Sequence, residues 1–521
     1  MQTTKAFVLG LDGVPWNLVE RWAKDGELEH FSTLFEEGAS GPLESTIPPQ
    51  TALAWPSIAT GVRADTHGIY DFQNLHDNYT HRMATSADRG GTALWDYLSP
   101  AVVGNVPMTY PASAIDGQMV TGMMTPEQNE GFTHPPELRD EIERKIPEYE
   151  IGLKWTEYAD EPAALVEDLQ SNVESRRELM RLLMDTDDWQ LFFFVYTAPD
   201  RLQHLNWDED VILEHYRYLD EILGEVIEYT RAQNANLFVV SDHGFGPISR
   251  VAYPNRLLER EGFLARTNDD NGRGVLEKLG ITKASLERVL DGVGVDEAKL
   301  VDALPNRITD TVARQVPGDH PLYDVDFDAT TAFFHGTSHL YVNRKGRFDR
   351  GTVRSDEVET VKRELRETFE SATDPETGER LFDLVDGDSL FPRDDRSPDF
   401  IVQGREGYLV QSALSDTFVT DTGAMEATHD HEGIIFALGP SIAANTRTED
   451  ATVYDVAPTL LHSIGEPIPE EIDGTVLEEI LTIDGSPEHR ELNPSMERSD
   501  AETDDDFQDV EDRLRGLGYM E

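Results

Sequence analysis

Four short apolar runs punctuate the chain, each bordered by polar side chains. Ala6–Leu11 ends at Asp12, and Leu191–Tyr196 is followed by Asp200. Leu237–Val240 leads to Asp242, and Gly433–Leu438 is preceded by His429. Unbroken hydrophobicity of this length predicts strands buried on both faces, and all four are expected to run parallel. Helical spacing of apolar positions predicts helices over Trp16–Ala23, Glu174–Met184 and Val211–Tyr229. The alternation predicts an α/β sandwich with a central, mainly parallel sheet flanked by helices. Ligands in such sheets bind beyond the carboxyl ends of the strands, where Asp12, Asp200 and Asp242 fall.

Two stretches read as additions to this core. Residues from about 126 to 187 are polar and helix-rich, with Pro135-Pro136 as a breaker, and residues 253–334 combine charged helical patterns with Gly/Asp loops. The second is expected to form a cap. Residues 1–483 are therefore expected to form one catalytic domain carrying two insertions. Residues 484–521 are expected to form an acidic linker, ending in a short helix that docks through Val510, Leu514 and Leu517.

Composition narrows the chemistry. Among 521 residues there is no cysteine, which leaves histidines and carboxylates to bind any metal. No apolar run reaches the ~20 residues of a membrane helix. The N-terminal segment Met1–Lys5 lacks a basic region followed by an apolar stretch, so a cytoplasmic location is expected. The chain carries 101 acidic against 44 basic residues, a net charge of −57. Such a surface repels nucleic acid polymers and anionic membranes, and points to adaptation to multimolar salt.

Single motifs say little here. With about a fifth of the chain acidic, an Asp-His pair such as Asp200/His204 or Asp242/His243 arises readily by chance, and a surface loop is the competing reading. Position changes this, because both pairs follow strongly apolar strands. Asp12 ends a buried strand and must be hydrogen-bonded, paired or metal-bound, and Gly13 behind it permits a tight turn. In the segment Ser45–Gly61, Pro48-Pro49 stiffen the approach to an expected helix whose amides favour a phosphoryl anion. Thr46, Thr51, Ser57 and Thr60 all offer hydroxyls there, and local physics does not choose among them.

The run from Thr51 to Gly61, continuing into His67-Gly68-Ile69, resembles the nucleophile segment of the type I phosphodiesterase/nucleotide pyrophosphatase branch of the alkaline phosphatase superfamily. The other blocks stand in that family's order. They are Asp12-Gly13, Pro199-Asp200-x-x-x-His204, Ser241-Asp242-His243-Gly244, and His429 before Gly433. The resemblance spans roughly residues 5–480. It implies an alkaline-phosphatase-like sandwich and a phosphoesterase acting on a small phosphorylated substrate through a covalent phosphothreonine. It further implies that Thr51 is the nucleophile and that two divalent ions are bound, zinc in the first place, with manganese or iron as alternatives. Asp200, His204 and His429 would hold one ion. Asp12, Asp242, His243 and the Thr51 oxygen would hold the other. His431 competes with His429 for the last position, and His67 is expected to be structural.

One position departs from the family. An Asn that binds a phosphate oxygen in the nucleotide pyrophosphatases is matched by Phe72, with Asn74 two residues on, so nucleotide specificity does not transfer. Trp55, Tyr70 and Trp207 are candidates for a substrate pocket, and Arg63 and Arg201 lie near site residues in sequence. A phosphomonoesterase or phosphonate hydrolase on the same scaffold is the nearest rival, and a non-catalytic metal-binding protein the more distant one. A sulfatase lacks its Cys/Ser-x-Pro-x-Arg motif here. The charge makes one expectation measurable. Thermal melts should move upward as sodium chloride rises from about 0.1 M, where screening reaches ~10 Å, to above ~1 M, where it reaches ~3 Å.

Overall fold

The first strand shows why the sheet is central. Phe7, Leu9 and Leu11 enter one apolar cluster, while Ala6 and Val8 enter another on the opposite face. The same alternation divides Phe192 and Phe194 from Phe193, and Leu237 and Val239 from Phe238 and Val240. A sheet buried on both faces needs a layer of helices on each. The computed structural model describes residues 4–153, 158, 162–186, 188–267, 322, 324–423, 425–483, 485–491 and 507–515.

The strands of the large sheet, in chain order, are β1 (Ala6–Leu11), β2 (Ala39–Glu44), β3 (Ala101–Val106), β4 (Gly117–Thr121), β5 (Thr133–His134), β6 (Leu191–Tyr196), β7 (Asn236–Val240), β8 (Glu432–Leu438) and β9 (Thr446–Arg447). They lie in the order β9-β2-β8-β7-β1-β6-β3-β4-β5, with Ala451–Thr452 also paired to β2. β7, β1, β6, β3 and β4 run parallel. β8 does not: it pairs antiparallel with both β7 and β2, which corrects the expectation of four parallel strands. A strand buried on both faces is continuously apolar whatever its direction, so the pattern carried no orientation.

The reversal positions the site. Leu11 pairs with Tyr196 and Gly10 with Val240, so Asp12, Asp200 and Asp242 emerge at one edge of the sheet. Ile435 pairs with Val240, and the antiparallel direction brings the chain before β8, with His429, to that same edge. Strand Gly244–Ala252 then pairs with Ala427–Asp430, setting Phe245 opposite His429 and tying the two histidine-bearing segments together.

The helices α1 (Trp16–Lys24), α2 (Thr51–Thr60), α3 (Pro162–Met184), α4 (Ala198–Leu205), α5 (Glu209–Gln233) and α6 (Gln508–Arg515) carry the rest of the argument. Leu165, Leu169, Val173, Leu179 and Leu183 of α3 enter the first core cluster, so this part of segment 126–187 packs directly on the sheet. Of segment 253–334, residues 268–321 and 323 lie outside the described residues. Its flanks join strands Ala332–His335, His339–Val342, Phe382–Asp386 and Phe400–Gly404 in a separate cluster backed by helix Val358–Ser371. Val510 and Leu514 of α6 are buried in the first core, and Leu517 lies outside the described residues.

α2 is buried all round, as its near-continuous apolar sequence requires. Trp55 lies over Gly10 of β1, and a Cβ at Gly10 would meet Trp55 Cη2 at 2.4 Å and Val195 Cγ2 at 2.7 Å. Gly10→Ala is therefore expected to cost about 1–3 kcal/mol of stability, read from denaturant melts. Because Trp55 also donates to Asp12, the same variant should lose activity at temperatures where it is still folded.

Candidate active site

Asp12 leaves β1 with its amide bonded to Tyr196 O, and its own carbonyl accepts from the Asp200 amide, which locks two strand ends together. Gly13 turns with φ +71°, and its amide donates to Asp242 Oδ1 at 3.2 Å. Ser241 Oγ accepts from Val14 N (2.8 Å) and donates to His243 O (2.6 Å). Gln203 Nε2 donates to Gly13 O at 2.7 Å, braced by the Tyr216 hydroxyl at 3.1 Å. These bonds orient side chains drawn from three strand ends.

Three of the expected residues meet around His243. Thr51 Oγ1 lies 3.2 Å from His243 Nε2 and 3.5 Å from Asp12 Oδ1, while Asp242 Oδ2 is 3.3 Å from the same imidazole nitrogen. His243 Nδ1 faces Gly244 O at 3.0 Å. A carbonyl only accepts, so Nδ1 carries the proton and Nε2 presents a lone pair. Beside this group, His429 Nε2 is 3.2 Å from both Asp200 Oδ1 and His204 Nε2. His429 Nδ1 donates to Pro49 O at 2.9 Å, which leaves Nε2 as a second lone pair. His431 turns instead to Gln403, at 2.8 Å, so His429 is the histidine in the cluster.

Donor atoms of Asp200, His204 and His429 converge in one group, and those of Asp12, Asp200 and His243 in another. Asp200 thus belongs to both, which no sequence signal indicated. The electrostatics divide the carboxylates. Burial works against charge on Asp200, yet His204, His429 and Arg201 outweigh it and hold its pKa well below the ordinary range. Burial, then the charges of Asp242 and Asp200, push Asp12 well above that range, and burial with Asp200 does the same to Asp242. Burial and His429 depress His243 to about 4, and burial lowers His429, so both imidazoles are neutral near pH 7.

Lone pairs of neutral imidazoles therefore face a buried group of three carboxyls, of which Asp200 is held charged and Asp12 and Asp242 are raised. Asp242 Oδ2 accepts no hydrogen bond among the described residues, although the residue is wholly buried. This arrangement fits divalent cations, and an N/O donor set without sulfur suits zinc or manganese.

The remaining candidates separate. Thr51 opens α2, whose first intrahelical bonds begin with the amides of Leu53 and Ala54 to Gln50 O, so the Thr51 and Ala52 amides stand ahead of them. Thr46 donates to Pro48 O and Thr60 to Pro56 O, both local bonds, while Ser57 pairs with His67 at 3.1 Å. Trp55 is a core residue whose indole holds Asp12 Oδ2 at 3.1 Å. Trp207 stacks on Phe245, which meets the His204 ring edge-on, whereas the Tyr70 hydroxyl turns to Asp394. Arg63 packs over Tyr454, away from the cluster, but Arg201 Nη1 lies 3.6 Å from Asp200 Oδ2. Phe72 is fully buried in the core and Asn74 sits in a small hairpin with Arg82 opposite. Sequence reasoning missed Gln50 and Asp71. Gln50 Nε2 donates to Asp71 Oδ1 at 2.8 Å just before the first turn of α2, and burial raises Asp71 to about 6. Neither bears a local signal, because the bond joins residues that stand on either side of α2, 21 positions apart.

An edge-of-sheet cluster of carboxylates and imidazoles beside a helix-opening threonine, on this strand order, is an alkaline-phosphatase-like α/β sandwich. The chain belongs to the type I phosphodiesterase/nucleotide pyrophosphatase family, whose model matches residues 6–432. It is accordingly a hydrolase acting on phosphoester or phosphoanhydride bonds. Murine ectonucleotide pyrophosphatase/phosphodiesterase 5 superposes with a TM-score of 0.51 at 14% identity, over 92% of this chain and 100% of that one. The human counterpart gives 0.51 at 13% identity with the same coverage. These likenesses establish the fold. No curated protein matches the sequence.

Raised pKa values at Asp12 and Asp242 mean that these carboxyls retain protons in the metal-free protein at pH values where free carboxylates have lost them. A cation that binds them must displace those protons. Zinc titrated into metal-free protein is expected to release protons, and its affinity to rise as pH rises through the raised values. Calorimetry in two buffers of different ionisation enthalpy measures the release.

Proposed function

We propose that the chain is a metal-dependent phosphodiesterase or pyrophosphatase that works through a covalent phosphothreonine on Thr51. The observation that carries this reading is the placement of Thr51 Oγ1 within 3.2 Å of His243 Nε2 and 3.5 Å of Asp12 Oδ1, at the opening of a buried helix. Asp200, His204 and His429 would hold one divalent ion, and Asp12, Asp242 and His243 with the Thr51 oxygen the other. Zinc fits this set, with manganese or iron as alternatives. When bound, such ions supply charge that stabilises an attacking alkoxide and a leaving oxygen.

Thr51 gives up its hydroxyl proton to solvent, and its Oγ forms the bond to phosphorus while the bond to the leaving oxygen breaks; the leaving group departs with that electron pair and takes a proton from water. The amides at the opening of α2 support the non-bridging oxygens. Water then attacks the phosphothreonine, releasing the phosphoryl product and restoring the hydroxyl. Trp55 keeps the Asp12 carboxylate oriented, and the Gly244 and Pro49 carbonyls hold His243 and His429 in the tautomers that present Nε2. The net charge of −57 supports a salt-rich cytoplasm as the setting, and no helix among the described residues is long and apolar enough to cross a membrane.

A phosphomonoesterase or phosphonate hydrolase is the second reading. It is favoured by the burial of Phe72, which leaves no amide side chain where nucleotide pyrophosphatases have one. The decisive comparison is turnover of a bis-aryl against a mono-aryl phosphate by zinc-loaded protein. The diester is expected to be the better substrate, and a strong preference for the monoester would sink the first reading. Thr51→Ala is expected to lower turnover by ~10³-fold or more while the protein keeps its metal and its melting temperature. Undiminished hydrolysis in that variant would remove Thr51 as nucleophile.

A further inference from the structure

Gln50 stands immediately before Thr51 and caps α2 with an extended backbone (φ −148°, ψ 133°), its carbonyl accepting from the amides of Leu53 and Ala54. The first amides of a helix have no intrahelical acceptor, so the opening turn depends on what holds the capping residue. The Gln50 side chain makes no capping bond to the helix. It turns away, and its Nε2 donates to Asp71 Oδ1 at 2.8 Å. Gln50 and Asp71 are each 2% exposed. The same carboxylate oxygen accepts from the Phe72 amide at 2.7 Å. The other oxygen, Oδ2, accepts from the Thr337 amide at 3.2 Å, at the tip of the hairpin formed by Ala332–His335 and His339–Val342. Gly336 allows that approach: it has φ +64°, and a Cβ there would lie 2.1 Å from Asp71 Oδ2. His339 Nδ1 is 3.8 Å from the same oxygen, and burial lowers the imidazole to about 3, so it is neutral near pH 7. Directional bonds from neutral donors therefore hold this carboxylate.

We propose that Asp71 is a positioning residue for the reaction: through Gln50 it ties the opening turn of α2, and with it the Thr51 hydroxyl, to the hairpin tip at residues 335–339. The proposal rests on the reading of Thr51 as the nucleophile. Apolar contacts place the axis of α2, with Leu53 and Trp55 buried beyond its first residue. The Asp71 carboxylate adds a polar tie at the residue that precedes the hydroxyl. One oxygen holds the helix opening and the other holds a hairpin whose strands belong to the separate apolar cluster. A nucleophile displaced by about 1 Å can lose ~10²-fold in rate, so a small shift of this turn is read directly in turnover.

Variants of the full-length protein test this. Gln50→Met keeps the length of the side chain and removes the donor. In zinc-loaded protein it is expected to lower kcat for a bis-aryl phosphate by ~10-fold or more, with KM and zinc content unchanged. In metal-free protein, hydrogen exchange at the Leu53 and Ala54 amides should quicken. Asp71→Ala is expected to do the same. Because Asp71 acts through Gln50, the double variant should lose no more than the larger single loss, and losses that multiply would overturn the proposal. Unchanged kcat in folded Gln50→Met would overturn it as well, and that variant decides alone should Asp71→Ala fail to fold. Thr51→Ala assayed beside them separates the two readings. Undiminished hydrolysis there would remove the nucleophile and this proposal with it. Lost hydrolysis there, with full kcat in Gln50→Met, would overturn this proposal alone.

Discussion

The structure depends on crowding three buried carboxylates and the lone pairs of neutral imidazoles into one edge of a sheet. Asp12, Asp200 and Asp242 are each almost wholly inaccessible, and His243 and His429 turn their unprotonated nitrogens toward them. Burial first, and the neighbouring carboxylates after it, push Asp12 and Asp242 well above the ordinary range. The fold tolerates it because every backbone around the cluster is tied down. The amide of Asp12 bonds Tyr196, the amide of Asp200 bonds Asp12, and Gly13 bonds the Asp242 side chain. Rigid strands hold charges together that mobile side chains would separate.

Helix α2 is placed by apolar contacts rather than by the polar cluster. Ala52 enters the first core, Trp55, Ile58 and Ala59 the second, and Leu53 a small cluster with Phe391 and Ile401. Packing on several sides leaves the helix little freedom to slide, so the Thr51 hydroxyl is fixed by hydrophobic burial several residues away. Trp55 joins the two systems, since its ring packs over Gly10 while its nitrogen holds Asp12. The same economy explains Phe72. Its ring is buried and contributes to the first core.

Charge is distributed unevenly over the molecule. The acidic excess contrasts with arginines that are buried beside the cluster, and Arg201 contributes to keeping Asp200 ionised. Asp200 is thereby separated in character from Asp12 and Asp242, although all three follow neighbouring strands. A carboxylate that stays charged at the junction of two donor groups is suited to face both of them.

Much of this was legible in the residues alone. Strands buried on both faces follow from continuous apolar runs, and the strand-end aspartates follow from polar residues placed at their ends. Those features are local, and local chemistry dictates them. Thr51 stood out from Thr46, Ser57 and Thr60 only by resemblance to a family, because a hydroxyl's role depends on what faces it. Direction and partnership were decided in three dimensions. The reversal of β8 is invisible to hydrophobicity, yet it carries His429 to the site and turns His431 toward Gln403. Gln50 and Asp71, Trp55 and Asp12, and the double membership of Asp200 all arise from side chains distant in sequence. What the sequence determined by itself was which residues are buried and which are chemically able. Which of them meet was settled only by packing, since contacts between distant residues leave no periodic trace along the chain.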